Sequence, residues 1–274
     1  MESANTLMPA ARPVLEVRGL TMEFGGIKAL DAFDLRLRQG EIVALIGPNG
    51  AGKTTFFNCL TGMYQPTKGE LLLTSPDGAT RRLNGLKPNK ITEAGLARTF
   101  QNIRLYPHMT VLENVMIGRH CRTRAGVLGA VFRGPATRRE ERETVGISSR
   151  ILEKIGLTAQ ANEFARNLPY GAQRRLEIAR ALATDPLILL LDEPAAGINP
   201  QETRELDELI CRLRDEGLSI LLIEHDMKLV MSLSDHIFVM DYGRKIAEGA
   251  PAEVRRNPEV IKAYLGEEGG HGPA

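Results

Sequence analysis

Between residues 45 and 55 the chain reads LIGPNGAGKTT, and few stretches leave a fold so little choice. Gly47, Gly52, Lys53 and Thr54 fit the spacing G-x4-G-K-[S/T]. Pro48, Asn49, Gly50 and Ala51 fill the loop, and Thr55 follows it. Glycine lets the main chain curl until its N–H groups point inward at phosphate oxygens. A helix starting at Lys53 would add the positive end of its dipole. Lys53 can then reach the β- and γ-phosphates of a nucleotide, and the Thr54 hydroxyl can hold Mg2+. Such a loop needs a strand before it and a helix after it, and EIVALI and KTTFFNCL supply both. A tight turn with an incidental lysine is the bland alternative, and it does not explain that context.

Two later strand ends complete the expected site. LILLLDEP is an apolar strand that carries Asp192 out at its end, where parallel sheets bind their ligands. Asp192 would hold Mg2+ through its water, and Glu193 could polarise the attacking water as general base. A carboxylate pair that merely caps the next helix is the structural alternative. SILLIEHD brings His225 out in the same way, which suits a contact to the γ-phosphate. A lone histidine is more often structural, so this reading rests on the strand end.

The pattern around these strands predicts the fold class. Residues 13–46 alternate apolar and polar residues, with turns at Gly25-Gly26 and Gln39-Gly40, as antiparallel strands leading into a buried one do. GELLLT predicts another strand. Residues 102–182 look more helical, and after 186 strands and helices alternate again, implying a parallel sheet covered by helices. The expectation is an α/β protein with one unit over 13–265: a core lobe of about 13–101 and 183–265, and an inserted helical lobe of about 102–182. Residues 1–12 and 266–274 are expected to be mobile.

Composition narrows the function classes. The net charge is +1, so no global field favours nucleic acid. Cys59, Cys121 and Cys211 are odd in number and far apart, which predicts reduced thiols and not a zinc site. The longest apolar runs, LILLL and SILLI, fall far short of the roughly 20 residues a bilayer needs. The N-terminus shows no apolar segment of the kind that directs secretion. Residues 119–150 hold eight arginines against three glutamates, a net +5. A solvated helical face is the default reading there, and contact with anionic lipid headgroups the sharper one.

Taken together, these stretches resemble the ATP-binding subunits of ABC transporters over nearly the whole chain. The resemblance implies a P-loop NTPase cassette with a RecA-like parallel-sheet core, an antiparallel β subdomain and an inserted helical subdomain. It places the ring of Phe24, in MEFGGIKAL, against adenine. It makes Gln101, in ARTFQNIRLYPHMTVLENV, the glutamine that reaches Mg2+ and the attacking water at the hinge between lobes. Tyr106, Pro107 and His108 would face the membrane subunits. LPYGAQRRLEIARAL stands where the family has its signature stretch LSGGQ, with Pro169 for serine, Tyr170 for glycine and Ala172 for glutamine, while Gly171 is kept. That stretch would cap the ATP of a partner subunit, and its missing hydroxyl donor would weaken the partner's site. Asn199, in AAGIN, matches the family's D-loop, where many relatives carry aspartate.

RTFQNIRLYPHMTVLENVMIGRH, LDEPAAGINPQETRELDELI and the stretch from IEHDMKL to AYLGE are similar to the LivG-type branch, which serves branched-chain amino acid importers. The resemblance implies a peripheral subunit on the cytoplasmic face of the inner membrane. It would bind ATP and Mg2+ and pair with a second, homologous ATPase or with itself. Two permease subunits and a periplasmic solute-binding protein would complete the importer. A urea or short-amide importer uses a closely similar subunit and stays open. A non-transport ABC ATPase would call for coiled-coil insertions or tandem cassettes. A phosphate-loop kinase or GTPase would lack the signature stretch and the late histidine.

Overall fold

The computed structural model describes residues 13–123 and 134–268. β1 (Pro13–Phe24) and β2 (Ile27–Arg38) form a hairpin closed by Gly25 and Gly26. Both glycines have positive φ, 55° and 88°, which the tight turn requires. β2 buries Leu30 and, after an irregularity at Ala32 (φ 50°), alternates to turn Phe33, Leu35 and Leu37 inward. With β4 (Lys68–Thr74) and β5 (Thr80–Arg82) it builds an antiparallel sheet of order β2-β1-β4-β5.

The runs IVALI, ILLLD and SILLI do not alternate, because both their faces are covered. They are β3 (Ile42–Ile46), β7 (Ile188–Asp192) and β8 (Ser219–Ile223), buried at every position. β6 (Leu96–Arg98), β9 (His236–Asp241) and β10 (Arg244–Gly249) extend the sheet to the order β10-β9-β3-β8-β7-β6. All its neighbours run parallel except β10, which is antiparallel to β9. One face of this sheet, with Val43, Leu45, Leu190 and Leu221, packs against the antiparallel sheet and α1 (Lys53–Leu60) around Phe33, Phe56 and Phe57. The other face, with Ile42, Leu189, Leu191 and Leu222, packs against the helical segments.

Those helices are α3 (Val111–Gly118), α4 (Pro135–Lys154), α5 (Tyr170–Leu182) and α6 (Pro200–Asp215), while α2 (Pro88–Ala94) leads into β6. α6 buries Leu206, Leu209, Ile210 and Leu213, the spacing of one helix face. A third cluster forms where α7 (Met227–Leu233), α8 (Pro251–Val254) and α9 (Pro258–Glu268) cover Ala44, Ile46, Ile237 and Val239. α9 continues through residues 266–268, which the sequence assigned to a mobile tail. Residues 1–12 and 269–274 lie outside the described residues.

Two arginines of the 119–150 stretch depart from the solvated-face reading. Arg119 donates to the Ala183 carbonyl, and Arg122 donates to the carbonyls of Glu93, Thr184 and Asp185. Carbonyls left open at the end of α5 need donors, and these guanidinium groups provide them. Arg138, Arg139, Arg142 and Arg150 are exposed, and Arg124 and Arg133 lie outside the described residues. Cys59, Cys121 and Cys211 form no disulfide. Among the described residues no helix is long and apolar enough to cross a membrane.

At the amino-terminal edge of the parallel strands lies a groove of about 400 Å3. Ser75, Pro76 and Gly78 of the β4–β5 hairpin line it, together with Asp185, Leu187 and Leu218.

Candidate functional site

The carboxyl ends of β3, β6, β7 and β8 lie on one edge of the parallel sheet and carry the expected groups to it. After β3 the chain turns through Gly47, Gly50 and Gly52, all with positive φ. Gly47 is forced: a Cβ there would stand 2.0 Å from the Met240 carbonyl oxygen. A Cβ at Gly52 would meet the Ala29 carbonyl oxygen at 2.6 Å. The Ala51 amide donates to the Pro48 carbonyl, closing the turn. α1 then starts at Lys53, whose ammonium donates to the carbonyls of Gly47 and Pro48 (2.7 Å to the latter). The lysine thus folds over the loop. Thr54 is exposed in the first turn of α1, so its hydroxyl lies at the positive end of that helix.

Asp192 ends β7 in a nearly buried position, and its carboxylate accepts from Arg98 at 2.6 Å. The Arg98 guanidinium also donates to Asn58 and lies over the rings of Phe57 and Phe100. Glu193 follows with φ 44°, a left-handed conformation that side chains other than glycine seldom adopt. Its amide donates to the Ile223 carbonyl at the end of β8. The side chain is reached from two elements: Gln101 donates through Nε2 to Glu193 Oε2 at 2.8 Å, and His225 Nδ1 stands 3.9 Å from the same oxygen. Carboxylate, amide and imidazole therefore converge beside the phosphate loop. Such a group can orient a water and take its proton.

Sequence reasoning missed several residues that hold this arrangement. Glu224, fully buried, accepts from the amides of Ala195 and His225, so it ties the turn after β7 to the turn after β8. Burial pushes its carboxyl up from the usual range. Asp207 on α6 lies near Glu224 and Asp226, and burial followed by those two charges pushes it up to about 6. Arg98 was within view as part of ARTFQ, but nothing in its spacing marks Asp192 as its partner. Tyr64 is another: Phe24, at 42% exposure, meets it edge-on with centroids 5.3 Å apart. The Phe24 ring is thus accessible at the end of β1.

The signature stretch is arranged around α5 and α6. Pro169 is the N-cap residue of α5 and Tyr170 its first residue, both exposed. Gly171 is pressed on Glu202, where a Cβ would fall 2.4 Å from the carboxyl group. A side chain added at Gly197 would meet the Tyr170 ring at 3.3 Å. The Ala172 methyl is only 6% exposed and packs in the core with Leu168, Leu176 and Leu206. Asn199 caps α6: its side chain accepts from the amides of Gln201 and Glu202, and the Glu202 carboxylate accepts from the Asn199 main-chain amide. A helix cap explains its amide side chain without a nucleotide. Further along the expected membrane-facing segment, Tyr106 is exposed beneath Arg180, and His108 pairs with Arg166 at 3.1 Å.

Comparison with known proteins identifies the family. Residues 30–196 match the ABC transporter family, and residues 244–270 match a segment described as branched-chain amino acid ATP-binding cassette transporter. The high-affinity branched-chain amino acid transport ATP-binding protein BraF of Pseudomonas aeruginosa is 53% identical over 94% of this chain and 99% of its own. LivG of Escherichia coli K12, similarly named, is 52% identical over the same shares. Among solved structures, the ADP conformation of an ATP-binding cassette of an ABC transporter superposes with TM-score 0.80 at 32% identity, covering 93% of this chain and 100% of that one. A dimeric bacterial ABC transporter cassette gives 0.70 at 26% identity, covering 86% and 98%. The chain belongs to the ABC transporter ATP-binding proteins, the nucleotide-binding ATPase cassettes of that family.

Proposed function

We propose that this chain is the ATP-hydrolysing motor of an importer for branched-chain amino acids. It would work at the cytoplasmic face of the membrane with a second, homologous ATPase subunit or a second copy of itself. Two permease subunits and a periplasmic solute-binding protein would complete the machine. The observation that carries the motor reading is the convergence of Gln101 and His225 on Glu193 beside the phosphate loop. Support for the solute comes from the match over residues 244–270 and from the names of BraF and LivG.

In this reading ATP lies with its phosphates in the loop 47–55 and its adenine against Phe24. Lys53 exchanges its loop carbonyls for phosphate oxygens, which are better acceptors for an ammonium. Glu193 takes the proton of the attacking water, Gln101 holds that water in line, and His225 approaches the γ-phosphate. Tyr170, Gly171 and Ala172 supply main-chain N–H groups and the dipole of α5 to the ATP of the partner subunit, while Pro169, which has no N–H, leads the chain into them. Thr54 would offer a hydroxyl, Asp192 a carboxylate and Gln101 an amide oxygen, hard oxygen donors of the kind Mg2+ takes, with Asp192 now paired to Arg98. Mg2+ bound there would neutralise charge developing on the phosphates.

Uptake tests the reading. In cells deleted for the gene, labelled leucine should enter when wild type is restored and not when Lys53→Ala is. Recovery of urea uptake instead would keep the motor and reassign the solute. No response of either would remove the branched-chain amino acid assignment and reopen a wider solute screen or a non-transport role.

A further inference from the structure

α5 carries a buried ion pair whose bonds go mainly to another segment's main chain. Arg174 and Glu177, one turn apart, pair at 3.0 Å with both side chains 1% exposed. Arg174 donates to the carbonyls of Phe100 at 2.7 Å and Gln101 at 2.8 Å. Glu177 accepts from the amides of Phe100 and Arg104, both at 3.3 Å. Four main-chain groups between residues 100 and 104 are thus held by two side chains of the helix that begins at Pro169 and Tyr170. Burial pushes the Glu177 carboxyl up, against the pull of Arg174. A buried ion pair contributes little to stability compared with apolar residues of the same volume. Apolar residues, however, could not hold four main-chain groups in place.

The same segment delivers the Gln101 side chain to Glu193. At its other end the Thr99 amide donates to the Leu190 carbonyl, fixing it to β7. We infer that Arg174 and Glu177 are positioning residues for hydrolysis: they set the reach of Gln101 and make the 100–104 segment move as one body with α5. This rests on the proposed role of Gln101 and Glu193. It goes further by linking the hydrolytic group of this chain, through buried hydrogen bonds, to the residues offered to the partner's nucleotide.

The test uses the assembled transporter with Arg174→Lys, which keeps the charge but loses the fork, Gln101→Ala, and the two combined. Arg174→Lys should lower kcat for ATP about 10- to 100-fold, as small misplacements of a positioned group do, with KM changed less than about threefold. Added to Gln101→Ala it should cost almost nothing more, because both act through one group. Additive losses, or a folded Arg174→Lys complex with wild-type kcat, overturn the inference alone. A Gln101→Ala complex with wild-type kcat overturns the reading of the site beneath it. Hydrogen exchange in the wild-type complex keeps the question open to refutation if Arg174→Lys does not fold. The amides of Phe100 and Arg104 should exchange with the interior of α5, with and without ATP, and exchange at the rate of an exposed loop would overturn the coupling.

Discussion

Glu193 sits in a left-handed main-chain conformation at the point where β7 stops, and strain of that kind is kept only where surroundings over-determine it. Its amide is tied to β8, and its carboxylate meets Gln101 and His225. Glu193→Gln keeps size and shape but cannot take a proton. ATP hydrolysis should fall about 10²- to 10⁴-fold while nucleotide affinity stays near wild type; steady-state phosphate release and a fluorescent ATP analogue check the two halves. Lys53→Ala should act earlier and abolish nucleotide binding, and hydrolysis with it, measured by the same analogue. Asp207 gives a pH test. With its carboxyl raised to about 6, the folded protein keeps a proton that the unfolded chain loses near pH 4. The resulting stability is fully present below that lower value and is lost as pH rises through about 6. Asp207→Asn should therefore raise Tm by about 2–4 °C at pH 7.5 and leave it unchanged at pH 4, read by thermal unfolding.

Elements explain what single residues cannot. Gly47, Gly52, Lys53 and Thr54 were legible because a phosphate loop is local: strand, glycines and helix follow each other within a dozen residues. Asp192 and His225 were legible because apolar runs mark buried strands and the residue after each must emerge at an edge. Arg98, Glu224 and the Arg174–Glu177 pair were not, since their partners are set by strand order and helix packing between distant segments. The signature stretch shows the same limit. Its departures from the family pattern could be read, but Ala172 turning into the core and Asn199 capping α6 could not. Gly171→Ala pushes the Glu202 carboxylate out of the cap of α6 and should destabilise the protein by about 1–2 kcal/mol, measured by denaturant unfolding. Ala172→Gln forces an amide into an apolar cluster and should destabilise at least as much, by about 1–3 kcal/mol in the same measurement.

For the whole molecule, two sheets and a helical layer place four loop ends on one edge, and that arrangement followed from the alternation of strand and helix signals. The order β10-β9-β3-β8-β7-β6 did not, because nothing local tells a parallel strand which neighbour it has. The proposed cycle needs a second cassette. Glu193→Gln, mixed with the homologous ATPase and MgATP, should elute as a stable dimer in size-exclusion chromatography, and wild type should fall back to monomers as ATP is consumed. The hairpin tip at Ser75–Gly78 belongs to the opposite edge, where the parallel strands begin. Asp77 and Gly78 are exposed there, in a turn whose bonds are its own. That makes the tip a handle for the experimenter: a cysteine-linked dye or a short epitope at Asp77 would ride on the cassette through every turnover without touching the chemistry.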